Sequence, residues 1–182
     1  MPIAGCHQLA QACHKGKSDS LLVLALVAGV TVLLDQITKF LVIWFFPLGR
    51  QVPVLPDCFS LVHWRNTGAA WGLFNGHPIL LALISVAVLA ALVLFAERIS
   101  EGGRVRALAL GLIAGGIAGN LFDRLFRGAV VDFLLCYYRS FQWPAFNVAD
   151  SAITVGVAIY LLASFFHASP PAEEPASSGQ RN

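Results

Sequence analysis

Four apolar stretches in this chain are each long enough to cross a bilayer as a helix, and they limit the fold more than any other feature. A helix needs about 20 residues to cover a hydrocarbon layer of about 30 Å. The stretches run over about residues 21–46, 77–96, 107–124 and 148–167. The first is too long for the apolar region of a cleavable signal peptide, which spans about 7–15 residues. Only 12% of the chain is charged and 57% is hydrophobic, where a soluble domain carries about 25% charged residues. The expected fold is an all-α membrane protein of one domain over residues 21–167. A flexible arm over 1–20 precedes it. The Pro- and Ser-rich tail over 168–182 has the composition of a disordered segment.

The segments between the helices differ in kind. Residues 97–106 form a short charged turn. Residues 47–76 are too many for a plain connection, and Pro47, Pro53 and Pro56 break helix there. Phe59–Trp64, rich in aromatic and β-branched residues, predicts a strand. A small β/loop subdomain outside the membrane is therefore expected after the first helix. Residues 125–147 read as a second loop, with Tyr137, Tyr138, Phe141 and Trp143 suited to the membrane–water interface.

The polar residues that interrupt the apolar pattern follow from this topology. Odd helices end, and even helices begin, on one side. Asp35 and Lys39 lie in the half of the first helix toward that side, on one face at i, i+4 spacing, and predict an inward ion pair. Asn66, Gly68 and Ala69 precede the second helix. Asn120, Asp123 and Arg124 end the third, Asp132 follows it, and Asn147 and Asp150 open the fourth, with Asn147 placed as an N-cap. All of them gather at one membrane face. Gly111, Gly115 and Gly119 form a small-residue stripe for close helix packing. Lysines and arginines number six on the side of the termini and five on the other, so the positive-inside rule leaves the orientation open. The charged turn at 97–106 inclines it toward cytoplasmic termini.

Ionisable groups beside hydrocarbon are costly and point to function. Two carboxyls brought together share one proton, because like-charge repulsion raises one pKa and leaves the other low. Such a pair activates a water and protonates a leaving amine without a covalent intermediate. Asp123, Asp132 and Asp150 are the candidates, and the residues alone do not choose between Asp123 and Asp132. The four cysteines lack CxxC spacing and the five histidines form no ligand pair, so neither metal nor cofactor is expected. Cys58 and Cys136 meet only if their loops do. A net charge of +2 with no basic run gives no reason to expect a nucleic-acid partner.

DQITK, RNTGAAWG, GNLFDR, VVDF and FNVADSA, in this order, resemble the lipoprotein signal peptidases, bacterial intramembrane aspartyl proteases with four transmembrane helices. The resemblance covers about residues 21–167. It implies Asp132 and Asp150 as the catalytic dyad. Asp35, Lys39, Asn66, Gly68, Ala69, Asn120, Asp123, Arg124 and Asn147 are then substrate-binding or supporting residues, with Asp123 and Arg124 holding the end of the third helix. The implied partners are prolipoproteins whose cysteine bears diacylglycerol, together with membrane lipid. The implied place is the bacterial inner membrane, site toward the periplasm and termini in the cytoplasm. The chain is expected to act as a monomer. A proton-coupled transporter using the same carboxylates is the alternative. Its sites sit near the bilayer midplane, often between repeats, and neither trait is seen here.

Overall fold

The computed structural model describes residues 4–99 and 103–166. Four helices, α1 (Ala4–Phe45), α2 (Pro78–Ile99), α3 (Arg104–Phe126) and α4 (Val148–Phe166), each contain a segment long and apolar enough to cross a membrane. Those segments are Ser18–Phe45, Pro78–Ala96, Arg104–Phe126 and Val148–Phe166, so the chain is a multi-pass membrane protein. Helix α3 is central and packs against α1, α4 and α2. Its glycines make that possible. A Cβ at Gly111 would lie 2.8 Å from Leu24 O of α1, and one at Gly115 2.7 Å from Ala28 O. Gly116 faces α4, where its Cβ would meet Ala149 O and Ile153 Cγ1. The expected stripe of Gly111, Gly115 and Gly119 thus packs on α1, while Gly116, outside that stripe, lets α4 approach. The outward faces carry exposed Leu22, Leu26, Leu33, Ile37, Leu83 and Leu161, as a lipid solvent requires.

Both extramembrane segments contribute to one antiparallel sheet in the order β1–β2–β3–β4. Its strands are β1 (Gln51–Leu55), β2 (Phe59–Asn66), β3 (Val130–Tyr138) and β4 (Phe141–Gln142). Strand β2 matches expectation and extends it by two residues. Strand β3 corrects it: residues 125–147 are largely a hairpin, not a loop. Its long-range partner is β2, with Trp64 opposite Asp132 and Asn66 opposite Val130. Val42 near the end of α1 packs with Val131 and Phe133 of β3, which seats the sheet on the helix ends.

A second correction concerns the N-terminus. Helix α1 begins at Ala4, so the arm expected over 1–20 is helical from that residue onward. The stretch AGCHQLAQACHK contains no proline and several good helix formers, and it continues an already nucleated helix. The expected tail over 168–182 lies outside the described residues.

Candidate active site

The site begins with a buried charge cluster. The Lys39 ammonium, 0% exposed, donates to Asp35 Oδ2 and Asp123 Oδ2, each at 2.8 Å, and to Asn120 Oδ1 at 3.0 Å. All three donors are used, and both carboxylates are also fully buried. Asp35 Oδ1 accepts from Ala149 N–H, 2.9 Å, in the first turn of α4, where an anion is favoured by the helix dipole. Asp123 accepts from Val131 N–H of β3 at 3.1 Å and pairs with Arg127 one turn on. Gln36 knits the group together, donating to Asp35 Oδ2 and Gly119 O and accepting from Arg127. One cluster therefore ties α1, α3, β3 and α4 together. Buried ions of this kind persist only when paired and hydrogen-bonded.

Two asparagines carry that order to the remaining aspartates. Asn120 Nδ2 donates to Asp150 Oδ1 at 2.8 Å. Asn147 caps α4 as expected, with Oδ1 accepting Asp150 N–H at 3.0 Å, while Asp150 Oδ2 accepts Asn147 N–H at 3.2 Å. This is a reciprocal capping box. Asn147 Nδ2 meanwhile donates to Asp132 Oδ1 at 2.9 Å. The other oxygen, Oδ2, accepts from Asn66 Nδ2 at 3.1 Å. Asp132 and Asp150 thus share one residue, Asn147, as donor. Burial pushes the Asp132 carboxyl up from 3.8 to about 7, and the Asp150 charge adds to this. Hydrogen bonds from Asn66 and Asn147, and the Lys39 charge, act in the opposite direction.

The loop over the site is held tightly. Asn66 Oδ1 accepts Gly68 N–H at 2.9 Å. A Cβ on Gly68 would come within 2.9 Å of Leu73 O, so only glycine fits. Ala69 N–H donates to the same Leu73 O at 2.7 Å. Trp71, at φ 59°, meets Trp143 edge-on with centroids 5.5 Å apart. Both rings line two cavities that adjoin Asp132. One, about 490 Å³, runs between the ends of α3 and α4 and includes Asp150. The other, about 510 Å³, lies over the sheet.

The structure brings Asp132, Asp150, Asn120, Asn147, Asn66 and Gly68 to one place, and sets Asp35, Lys39 and Asp123 behind them. It separates the expected Asp123–Arg124 support. Asp123 pairs with Lys39 and Arg127, whereas Arg124 lines the α3–α4 cavity and donates to Gly68 O at 3.2 Å. The reason is helical geometry: i+4 shares a face with Asp123, while i+1 points away. Gln36 and the two tryptophans escape a reading based on charge. Gln36 sits inside DQITK, one residue past Asp35, which was the available signal.

The comparisons with known proteins agree with one another. The model of the family described as signal peptidase (SPase) II matches residues 27–166. A lipoprotein signal peptidase of Geobacillus kaustophilus is 43% identical over 144 residues, covering 79% of this chain and 94% of that protein. One from Bacillus subtilis is 38% identical over 137 residues, covering 75% and 89%. A solved structure described as a bacterial membrane enzyme superposes with a TM-score of 0.75 at 32% identity, over 84% of this chain and 93% of that one.

Proposed function

The chain belongs to the signal peptidase II family, and on that premise we propose that it is an aspartyl endopeptidase removing signal peptides from prolipoproteins, with Asp132 and Asp150 as its dyad. The observation that carries the reading is the Asn147 bridge, which donates to both carboxyls at 2.9 and 3.2 Å. The pair holds one proton and titrates as a unit. The ionised member takes a proton from water while the water oxygen bonds to the scissile carbonyl carbon. The protonated member donates to the carbonyl oxygen. Collapse of the tetrahedral adduct breaks the C–N bond, and a carboxyl proton goes to the leaving amine. Asn120, Asn147 and Asn66 hold both carboxyls in fixed rotamers, so little reorganisation accompanies the reaction.

In this reading the substrate carries diacylglycerol on the cysteine that follows the cleaved bond, and membrane lipid borders the site. The enzyme lies in the bacterial inner membrane, with the sheet end toward the periplasm and the termini in the cytoplasm. It works as a monomer, since one chain supplies both aspartates and their supports. The polar groups cluster at the sheet end of the bundle, so no observation favours a midplane transporter site.

The test is cleavage of a diacylglyceryl-modified prolipoprotein by the purified protein. Asp132→Asn and Asp150→Asn each abolish release of the signal peptide while membrane insertion persists. Near-normal turnover in either variant would rule out the dyad.

A further inference from the structure

Three of the chain's four tryptophans line the chamber over the sheet. Strand register sets Trp64 directly opposite Asp132, so the indole and the carboxyl leave the same sheet face with Cβ atoms about 5 Å apart. Trp143 follows β4, and its N–H donates to Cys136 O at 2.9 Å. Cys136 lies four residues along β3 from Asp132 and shares its face. Trp71 comes from the loop over the site and meets the Trp143 ring edge-on at 5.5 Å. Trp64 is half-buried, and its indole makes neither a ring contact nor a hydrogen bond among the described residues. Trp71 and Trp143 are 63% and 49% exposed. Free aromatic surface from three rings thus borders one space beside Asp132.

An extended peptide sends successive side chains to opposite sides, at about 3.3 Å per residue. With the scissile carbonyl at Asp132, the next residue is the modified cysteine, whose diacylglycerol belongs in the membrane. The side chain after it points the other way, toward the sheet and Trp64. We propose that Trp64, with Trp71 and Trp143, forms a subsite that selects a large apolar side chain, aromatic before aliphatic, at the residue following the modified cysteine. This rests on the proteolytic reading above. Indole rings gain by covering apolar surface and by edge-to-face or offset stacking. A favourable aromatic contact corresponds to about a tenfold preference.

The experiment compares kcat/KM for diacylglyceryl-modified peptides that differ only in the residue after the cysteine: phenylalanine, leucine or serine. The wild-type enzyme prefers the phenylalanine peptide over the serine peptide by about tenfold, with leucine between them. Moving the phenylalanine one residue further along turns its side chain away from Trp64 and removes the advantage. Trp64→Phe keeps the preference, and Trp64→Ala brings the phenylalanine-to-serine ratio near one. Trp71→Ala, at an exposed loop position, lowers the same ratio and carries the test if Trp64→Ala fails to fold. Equal cleavage of all three peptides by the wild type overturns the inference and leaves the proposed function standing. So does a preference that the tryptophan-to-alanine variants leave unchanged. If no lipid-modified peptide is cleaved, the proteolytic reading fails and this inference falls with it.

Discussion

Asn147 Nδ2 donates to Asn120 Oδ1 at 3.2 Å, and that bond joins the supports of the two aspartates. Asn120 holds Asp150, and Asn147 holds both Asp150 and Asp132. Asn120 also accepts from Lys39, which turns its amide so that the NH₂ faces Asp150. The buried cluster thereby fixes the geometry of the two aspartates.

Asn147 has two separable duties. Serine is a good N-cap, but its side chain is too short to repeat the Asp132 bond. Asn147→Ser keeps α4 and lowers kcat at least about tenfold, as loss of an orienting partner does. Asn147→Ala loses the cap as well and costs about 1 kcal/mol more stability. Turnover and thermal unfolding in detergent measure the two effects. Wild-type turnover in Asn147→Ser would remove the positioning role.

The Asp132 shift sets a pH dependence. Its carboxyl rises from 3.8 to about 7 on folding. In the proposed dyad the shared proton is therefore lost as pH rises through about 7, and kcat/KM is expected to show an alkaline limb there. Between those two values the folded chain binds more protons at Asp132 than the unfolded chain does. The group's contribution to stability is present in full below 3.8 and is lost as pH rises through about 7. Rate profiles and unfolding temperatures from pH 5 to about 9 test both trends. Asp132→Asn should flatten its share of the stability trend. A rate that keeps climbing through pH 8 contradicts the assignment.

How much of this could be read from the sequence depends on the range of the interaction. The four spans, the Asp35–Lys39 pair, the Asn147 cap and strand β2 are local patterns, and each is visible in a short window. Strand β3 is not. VVDFLLCYY has an acid in the middle of an apolar run, and its partner β2 lies more than sixty residues earlier, a pairing that periodicity does not encode. The capping box is half legible: Asn147 has the residue type and place of an N-cap, whereas an aspartate three residues on carries no mark of the return bond it makes to the Asn147 N–H. Arg127 is legible as Asp123's partner by its i+4 spacing, which the adjacent Arg124 lacks.

Lys39 compensates two fully buried carboxylates. Lys39→Met removes that charge, leaves Asp35 with no cation, and costs about 3–5 kcal/mol. Adding Asp35→Asn restores charge balance, since Asp123 keeps Arg127 and an amide oxygen still accepts from Ala149 N–H. The double variant is therefore more stable than Lys39→Met alone. Unfolding temperatures of the three proteins in detergent check the order. A double variant weaker than the single one would show that the ion pair is not the source of the cost.

Gly116 couples the α3–α4 packing to the position of Asp150, a member of the proposed dyad. A Cβ there would press on Ala149 O and lie 2.7 Å from Ile153 Cγ1, and Ala149 immediately precedes Asp150. Gly116→Ala must push α3 and α4 apart, at an overpacking cost of about 1–3 kcal/mol. The displacement carries Asp150 with it. Misplacement of a reacting group by about 1 Å lowers the rate by about 100-fold, so kcat falls more than KM changes. Gly29 supplies the control, because a Cβ there meets nothing within 4 Å. Gly29→Ala should gain up to about 1 kcal/mol from helix propensity and keep full turnover. If Gly116→Ala instead matches wild type in unfolding temperature and kcat, the α3–α4 contact does not set the position of Asp150.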